Sequence, residues 1–287
     1  MKVSIIDVGS NSVRLATLAD GKTLYKKMQT TRLGEGVSAT GKLSADAAER
    51  TAQAVLSYYN EAQKDGADKI YIFATAAVRS AQNRLLFLDR VKELCGAEVE
   101  IMSGDEEAKI GVLGALKNSD GGIIDVGGAS TEVSIQKDGK YVYSKSVNVG
   151  AVSLFEAAGR DREKLLNIIS EKIKEYGNFN AGGFGFFAIG GTATRLAAIK
   201  HGLTQYRPDV TDGTVFTLDE LKNLSEEYLA KPVAEIRSTT ICGKSSELVG
   251  GGGLLICAVM EKFGIDEITV SESDNLEGFY LLKEGML

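Results

Sequence analysis

The spacing of apolar and polar residues at the start of the chain predicts three strands followed by a helix. Val3 to Val8 is a continuous apolar run, and Ser12 to Leu18 and Thr23 to Gln29 have the pattern of two further strands. Leu43 to Asp65 then has the 3.6-residue period of a helix. Ser44 is the expected N-cap of that helix, because a serine side chain can accept a hydrogen bond from the first turn.

Strand and helix patterns continue to alternate up to residue 117. The segment "KIYIFAT" predicts a buried strand, Ala77 to Leu94 a helix, "EVEIMS" a strand and Asp105 to Lys117 a helix. The resulting order is βββαβαβα, which is typical of a mixed α/β domain.

The same order of patterns begins again after "NSDGG". Strands are predicted at Ile123 to Val126, Glu132 to Gln136 and Lys140 to Val147. The later segments are, in order, the helix Arg162 to Glu175, the strand "GFFAIGG", the helix "TATRLAAIK", a helix near Leu218 to Leu229, a glycine-rich joint, the helix Leu254 to Phe263, the strand "EITVSE" and a final helix from Asn275. We therefore expect two related α/β halves, which would leave a cleft lined by strand turns if packed face to face.

One stretch of sequence occurs twice. "SIIDVGSNSVRLATLADGKTLYKK", from Ser4, and "GIIDVGGASTEVSIQKDGKYVYSK", from Gly122, align without a gap at a constant offset of 118 residues. Asp-Gly is a common hairpin turn and carries little information by itself. Asp-Val-Gly is more specific, because small residues let backbone N–H groups approach an anion and the carboxylate can hold the accompanying cation. The duplication therefore predicts a cleft for a phosphate and a metal ion.

Composition and charge narrow the chemistry. The chain is 44% hydrophobic and has a net charge of −6, which argues against a general nucleic-acid binder. No apolar run approaches the roughly 18 residues of a membrane span. His201 is the only histidine and reads as a helix-end residue, so most histidine-dependent hydrolases are excluded. The three cysteines fit no metal spacing, and the N-terminal residues lack a signal-peptide pattern, so a reducing cytoplasm is expected.

Five segments together resemble the exopolyphosphatase and guanosine pentaphosphate phosphohydrolase family of the actin-like ATPase superfamily. They are "IDVGSNSVRL", "FATAAVRSAQN", "IMSGDEEA", "IIDVGGASTEVS" and "AIGGTATRLAAI". The resemblance implies two actin-like, ribonuclease H-like domains of βββαβαβα order, 1–117 and 118–273, that face each other across a cleft. It also implies that a final helix, at about 274–287, packs back on the first domain.

Two neighbouring acids at the start of a predicted helix have different explanations. Ser103 and Glu106 fit a capping box, Ser-x-x-Glu, which is a sufficient structural reason for Glu106. Glu107 lies about 100° further round the helix, so the cap does not account for it. The resemblance implies that Glu107 is the catalytic general base that deprotonates the attacking water. The alternative is a first-turn acid that complements the helix dipole.

The resemblance further implies a Mg²⁺ site beside the terminal phosphate. Asp125 and Glu132 would hold the ion directly or through water. Asp7, the matching acid of the first half, is expected at the metal site as an outer partner rather than as a direct ligand. Glu132 occupies a strand position that usually favours a β-branched residue, which disfavours a purely structural role. For Asp7 the alternative is an ordinary acid at a strand end.

A larger set of residues is implied to bind phosphate. Its members are Ser10, Asn11, Ser12, Arg79, Gly127, Gly128, Ala129, Ser130, Gly190, Gly191 and Thr192. Arg79 offers a fork of donors suited to phosphate, and Asn83, four residues on, is expected on the same helical face. The turn from Gly190 joins a strand to a helix N-terminus, which favours anions, so it could bind nucleotide or a later phosphate of a chain. Its alternative is a plain β–α joint.

Three features depart from the family pattern. Ala129 stands where the family usually has a third glycine, and Leu276 stands where it usually has an arginine. The segment "CGKSSELVGGGGLL" stands where the family usually has a compact Ala-Gly-Gly before its late helix. In the family this C-terminal region tends to shape the substrate channel and the packing of the last helix.

The expected activity is Mg²⁺-dependent hydrolysis of a terminal phosphoanhydride. Inorganic polyphosphate is the first-choice substrate and guanosine pentaphosphate the alternative, since both present the same terminal group. A kinase of the same superfamily and a non-catalytic nucleotide- or polyphosphate-binding regulator are the rivals. "SGDEEA", which such kinases do not share, and the presence of Glu107 argue against them. We expect a cytoplasmic protein without nucleic-acid or membrane partners, and homodimerisation is an expectation from the family.

Overall fold

Separate hydrophobic cores divide the chain into two units. The computed structural model describes residues 1–117 and 119–285. Unit 1 comprises Met1–Gly114 together with the chain from Asn275 onward, and unit 2 comprises Ala115–Asp274. Residue 118, at the predicted domain boundary, and residues 286 and 287, in the predicted final helix, lie outside the described residues.

Unit 1 is built on one mixed sheet. Its strands are β1 (Lys2–Val8), β2 (Ser12–Ala19), β3 (Lys22–Thr30), β4 (Lys69–Ala74) and β5 (Glu100–Ile101), in the spatial order β3-β2-β1-β4-β5. The first three strands are antiparallel, whereas β4 pairs in parallel with β1 and with β5. Its helices are α1 (Val37–Thr40), α2 (Ala45–Lys64), α3 (Ala76–Ser80) and α4 (Leu85–Cys95), followed after β5 by α5 (Gly104–Leu116). The predicted βββαβαβα order is confirmed for the strands and main helices of this unit.

Unit 2 repeats the plan around a second sheet. Its strands are β6 (Gly121–Val126), β7 (Thr131–Lys137), β8 (Lys140–Val147), β9 (Phe186–Ile189), β10 (Val215–Thr217) and β11 (Glu267–Val270), in the order β10-β11-β9-β6-β7-β8. Its helices are α6 (Ala151–Ala158), α7 (Arg162–Lys172), α8 (Gly190–Lys200), α9 (Pro208–Thr211), α10 (Leu218–Ala230), α11 (Val233–Thr239) and α12 (Val249–Phe263), with 3₁₀ turns at Ile173–Tyr176 and Gly243–Ser245. The prediction of a mixed α/β fold with two related halves is therefore confirmed.

The repeated sequence folds as a repeated structure. Asp20 and Asp138, which are 118 residues apart, both lie in the left-handed region, with φ of 49° and 50°. Each is followed by a glycine with positive φ, so both hairpins have the turn geometry that matches the strand twist. The register also shifts between Thr17 and Leu18 in one unit and between Ile135 and Gln136 in the other. The two copies therefore share even their β-bulge.

A last helix, α13 (Asn275–Glu284), completes unit 1. Phe279 stacks on Phe73 of β4 with 4.6 Å between ring centroids. A Cβ added to Gly278 would overlap the Ile110 carbonyl oxygen, so α13 crosses α5 at backbone contact. Leu276 is 1% exposed within the same apolar cluster. The leucine at this position is thus a core residue, which accounts physically for the departure from arginine.

Three predicted elements were wrong in extent. The helix expected over Ala77 to Leu94 is broken, because α3 ends at Ser80 and Ala81 is extended before α4 begins. The Asn83 side chain bonds both the N–H and the C=O of Leu43, at 2.8 and 2.9 Å, which holds the break open. The strand "EVEIMS" is reduced to Glu100–Ile101, and the glycine-rich joint before Leu254 lies inside α12.

Other predictions at the level of single elements are confirmed. The Ser44 side chain accepts a hydrogen bond from the Ala47 amide at 3.2 Å and caps α2. His201 is the C-cap residue of α8. Within the part of the chain that the structure describes, no helix has both the length and the apolar character needed to cross a membrane.

Candidate active site

The two strand tips that carry Asp-Val-Gly have the same backbone geometry. Gly9 N–H donates to the Ser12 carbonyl at 3.0 Å, and Gly127 N–H donates to the Ser130 carbonyl, also at 3.0 Å. A Cβ on either glycine would lie 3.3 or 3.2 Å from that carbonyl oxygen, which is tighter than ordinary contact. Glycine thus keeps each turn narrow, and the sequence repeat is a repeat of this turn.

The tip of unit 1 is held by the chain that follows β3. Gly34 N–H donates to the Ser10 carbonyl at 2.8 Å, and the amides of Thr31 and Arg32 donate to the Asn11 carbonyl at 3.0 and 2.9 Å. Ser10 is 4% exposed, so its predicted contact with phosphate would have to be made by its backbone or by a rearranged side chain. Asn11, just before β2, and Ser12, its first residue, are half-buried at the tip.

The tip of unit 2 is held by the first turn of α6. The Ala151 amide donates to the Gly127 carbonyl at 2.9 Å, and the Val152 amide donates to the Gly128 carbonyl at 2.8 Å. A Cβ on Gly150 would lie 2.5 Å from the Gly128 carbonyl carbon, so the helix can approach only through a glycine. These bonds use the carbonyl groups of the predicted phosphate cradle. Ala129 has no positive φ, so its methyl group introduces no backbone strain.

An acid of each first strand faces a different partner across the hairpin. In unit 1, Asp7 lies opposite Arg14, and the Arg14 Nε and Nη2 atoms donate to Asp7 Oδ2 at 2.8 and 2.5 Å. In unit 2, Asp125 lies opposite Glu132 in the equivalent register. Asp125 is 7% and Glu132 1% exposed. The hairpin of unit 1 therefore holds an ion pair where the hairpin of unit 2 holds two buried carboxylates.

This donor set fits Mg²⁺ in its chemistry. Like charges placed directly opposite on a sheet are unfavourable, and a divalent cation between them would remove that repulsion. Within residues 1–117 and 119–285, no three His, Cys, Asp or Glu side chains are grouped so that they could hold a metal by themselves. Mg²⁺ typically takes one or two carboxylates and completes its octahedron with water and substrate phosphate. Asp125 and Glu132 would thus supply the protein ligands, whereas Asp7 is bonded to Arg14.

Glu107 is buried in the first turn of α5. It is 8% exposed, and its Oε2 accepts a hydrogen bond from Arg79 Nη1 at 2.9 Å. The same Arg79 nitrogen also donates to the Met102 carbonyl at 2.9 Å, which fixes the guanidinium between α3 and the start of α5. Burial raises the pKa of the Glu107 carboxyl above its usual value, and Arg79 opposes part of that rise.

The neighbouring acid has the structural role that the sequence predicted. Ser103 N–H and Oγ each donate to Glu106 Oε2 at 2.8 Å, and Glu106 N–H donates to Ser103 Oγ at 3.2 Å. These bonds lower the pKa of the Glu106 carboxyl. Glu106 and Glu107 are therefore adjacent carboxylates with opposite pKa shifts, one closing a helix cap and one buried against an arginine.

The turn after β9 brings backbone close to Asp125. Gly190 has a φ of 81°, and an added Cβ there would lie 2.5 Å from Asp125 Oδ1. Thr192 Oγ1 donates to the Val126 carbonyl at 2.8 Å, which ties the turn to the end of β6. Arg195 folds back and donates through Nη1 to the Gly191 carbonyl at 2.8 Å. Within unit 2 the predicted residues of this turn therefore adjoin one of the predicted metal ligands.

Sequence reasoning missed two polar side chains and misplaced a third. Arg14 was part of a predicted strand, yet its pairing with Asp7 follows from the hairpin register. Ser146 Oγ donates to Glu132 Oε1 at 2.5 Å from the next strand, β8. Asn83 does not share a helical face with Arg79, because α3 ends between them.

The fold and these strand tips define a class of two-unit α/β proteins with a duplicated three-stranded hairpin. The chain belongs to the Ppx/GppA phosphatase family, whose pattern matches residues 15–286. A crystal structure of the Aquifex aeolicus member of that family is 26% identical and superposes with a TM-score of 0.79, covering 100% of this chain and 98% of that one.

Two named relatives differ in how much of their length the chain matches. Exopolyphosphatase 2 of Mycobacterium tuberculosis is 27% identical, with 99% of both chains covered. The guanosine-5′-triphosphate,3′-diphosphate pyrophosphatase of Photobacterium profundum is also 27% identical, with 95% of this chain but only 57% of that protein covered. The chain also matches, at 26% identity, a bifunctional 3-dehydroquinate synthase/phosphatase of Fusobacterium nucleatum, of which it spans 46% of the length.

Proposed function

We propose that this chain is a phosphoric anhydride hydrolase of the exopolyphosphatase type. Its substrate would be inorganic polyphosphate, which loses one terminal orthophosphate in each cycle. The single observation that carries the proposal is the burial of Glu107 against Arg79, 2.9 Å apart, on the first turn of a helix. A buried carboxylate with a raised pKa is a suitable acceptor for a proton from water.

The proposed reaction is an in-line displacement at the terminal phosphorus. The oxygen of a water molecule forms a bond to phosphorus, the bridging P–O bond breaks, and the shortened chain leaves with the electron pair. Glu107 takes the proton that the attacking water loses. Arg79 keeps donors besides those bonded to Glu107 and Met102, and these would hold a terminal phosphate oxygen.

The proposal also assigns roles to backbone amides and carboxylates of unit 2. The turn from Gly127 to Ser130 would present N–H groups to phosphate oxygens, and Asp125 and Glu132 would hold Mg²⁺. When bound, the ion neutralises charge that builds up on the phosphate. The guanosine pentaphosphate reaction is the alternative, because both substrates present the same terminal phosphate group.

Orthophosphate release tests this proposal. Long-chain polyphosphate, guanosine pentaphosphate and ATP are assayed in parallel with Mg²⁺, for the wild type, Glu107→Gln and the matched neighbour Glu106→Gln. We expect release from polyphosphate that falls by about 10²–10⁴-fold in Glu107→Gln, the usual contribution of a general base. Glu106→Gln should keep the activity, because glutamine also closes a capping box.

Each other outcome has a definite meaning. Release from guanosine pentaphosphate in preference to polyphosphate would replace the substrate and keep the reaction. ATP turnover that requires an added acceptor would indicate a kinase. A folded protein that binds polyphosphate but releases no phosphate from any of the three would overturn the hydrolase proposal and leave a binding regulator.

A further inference from the structure

Helix α12 begins with an unusual run of residues. Val249 is followed by four consecutive glycines, all of them buried and all inside the helix. Glycine is the least favourable helix residue after proline, so a run of this kind needs a reason in the tertiary structure. What a Cβ would meet at each position gives that reason.

The four glycines face different neighbours. A Cβ on Gly250 would lie 2.6 Å from the Leu229 amide nitrogen, and one on Gly253 would overlap Ser225 Oγ, so both positions let α12 approach α10. A Cβ on Gly251 would lie 3.5 Å from Leu165 Cδ2, which is ordinary contact. The remaining glycine, Gly252, faces the turn after β9.

Gly252 is in contact with Thr192. A Cβ at Gly252 would lie 2.7 Å from Thr192 Cγ2, whereas its next neighbour, Ala151 Cβ, would be at an acceptable 3.4 Å. Thr192 cannot move freely, because its Oγ1 is bonded to the Val126 carbonyl at 2.8 Å. A methyl group on α12 would therefore push directly on a residue that ties the turn to β6.

That turn is itself in contact with Asp125. Gly190 has a positive φ of 81°, and its Cα lies so near the carboxylate that a Cβ would be 2.5 Å from Asp125 Oδ1. A displacement of Thr192 would therefore shift the Asp125 side chain, either through Gly190, which contacts it, or through Val126, the next residue in the chain. A methyl group at Gly252 would cause that displacement.

We propose that Gly252 is a positioning residue for the turn Gly190–Thr192 and, through it, for the Asp125 carboxylate. By lacking a side chain, it lets α12 support Thr192 in the conformation that the anion- and metal-binding residues require. The inference rests on the proposed function only in taking Asp125 as a Mg²⁺ ligand. The contact between Gly252 and Thr192 is independent of that function.

The test compares three alanine variants in neighbouring positions. Gly252→Ala is the test variant, Gly251→Ala is the control with room for a methyl group, and Gly250→Ala is the control that disturbs α12 without touching the turn. The double variant Gly252→Ala/Thr192→Ser removes the clashing Cγ2 and keeps the hydroxyl, and Thr192→Ser alone supplies its reference. Mg²⁺ affinity is measured by calorimetry, together with Tm, KM and kcat for polyphosphate.

We expect Gly252→Ala to weaken Mg²⁺ binding and raise KM, each by about tenfold, since small misplacements of binding groups have large effects. Thr192→Ser should restore both in the double variant, relative to Thr192→Ser alone. Gly251→Ala should have the Mg²⁺ affinity and KM of the wild type. Gly250→Ala should lower Tm but keep the wild-type Mg²⁺ affinity. If Gly252→Ala alone does not fold, the double variant measured against Thr192→Ser carries the test.

Two results would overturn the inference. One is a Gly252→Ala protein that loses Tm as Gly250→Ala does but binds Mg²⁺ as the wild type does. The other is a double variant no better than Gly252→Ala. A wild type that binds Mg²⁺ but releases no phosphate would instead contradict the proposed function, and the Mg²⁺ affinities of the variants would still decide the role of Gly252.

Discussion

Asp125 and Glu132 lie directly opposite each other on β6 and β7, at the register position where the other hairpin holds the ion pair of Asp7 and Arg14. The two hairpins share their turn, their bulge and their first acid, and at this register position they differ in the charge of the residue opposite that acid. In unit 1 the acid is neutralised by a side chain of the protein. In unit 2 a second acid replaces that side chain, and the two carboxylates offer oxygen ligands of the kind that Mg²⁺ prefers.

This relationship predicts the effect of Glu132→Arg. The arginine should pair with Asp125 as Arg14 pairs with Asp7, so the protein should fold with a Tm close to that of the wild type. Mg²⁺ binding should be lost, because the site exchanges a carboxylate for a cation. Calorimetric titration with Mg²⁺ and thermal unfolding with and without the ion measure both effects.

Glu132→Gln is the control for Glu132→Arg, because it removes the charge without supplying a cation. It should weaken Mg²⁺ binding without providing a new partner for Asp125. A Glu132→Arg protein that binds Mg²⁺ as tightly as the wild type would show that Glu132 is not a ligand.

Ser146 should tune the same carboxylate. Its hydroxyl donates to Glu132 Oε1 at 2.5 Å, and the corresponding position opposite Arg14 is Met28, which has no hydroxyl. Groups that orient a metal ligand typically affect metal affinity by about 10–100-fold when removed. We therefore expect Ser146→Ala to weaken Mg²⁺ binding by about tenfold and Ser146→Thr to restore it.

Ser144 supplies a matched control on the same strand. Its Oγ is bonded to Ser134 Oγ at 3.0 Å rather than to Glu132. Ser144→Ala should therefore leave Mg²⁺ affinity unchanged while removing one hydrogen bond. Equal effects of the two alanine variants would contradict the specific role of Ser146.

Much of the structure of the two hairpins could be predicted from the sequence, including side-chain pairs that no single motif indicates. The repeat, the hairpin turns and the residues at both tips could be predicted because they depend on local patterns. The pairing of Arg14 with Asp7 could also have been found, since the positions of two strands joined by a short turn fix which residues face each other. Ser146 follows from the same register in the next strand.

Other features depended on partners far along the chain. The break after Ser80 is held by hydrogen bonds between Asn83 and Leu43, 40 residues earlier, and no helical pattern reveals such a contact. The glycine run of α12 predicts a joint, because glycine has low helix propensity. Packing against Leu229 and Thr192 overrides that propensity, as tertiary contacts often do.

Leu276 provides a test of core packing at a position where the family usually has arginine. Its side chain is 1% exposed in the cluster that α13 forms with β1 and α5. Leu276→Ala should lower the free energy of unfolding by about 2–5 kcal/mol, as the truncation of a buried leucine to alanine generally does. Leu85, which is 63% exposed in the same unit, is the control. Leu85→Ala should change the free energy of unfolding by less than about 0.5 kcal/mol. Urea unfolding of both variants measures the difference, and similar values would contradict the burial of Leu276.

The pH dependence of activity should report the environment of Glu107. A general base acts in its ionised form, so kcat/KM must fall as the pH drops through the pKa of Glu107. Because burial raises that pKa, the fall should occur at a higher pH than the usual value of about 4.3 for a glutamate. A rate profile measured with saturating Mg²⁺ between about pH 4 and 9 locates it.

Variants of Arg79 test whether this fall of kcat/KM at low pH, the acid limb of the rate profile, reflects the ionisation of Glu107. The guanidinium lowers the Glu107 pKa through its hydrogen bond and charge, so Arg79→Gln should move the limb to still higher pH, and Arg79→Lys should move it less. Both variants should also raise KM if Arg79 holds the terminal phosphate. Titration of the substrate itself is common to all three proteins, so it cancels in the comparison. A limb that stays at the same pH in Arg79→Gln, despite reduced activity, would mean that another group is the base and that Glu107 serves only to hold the arginine.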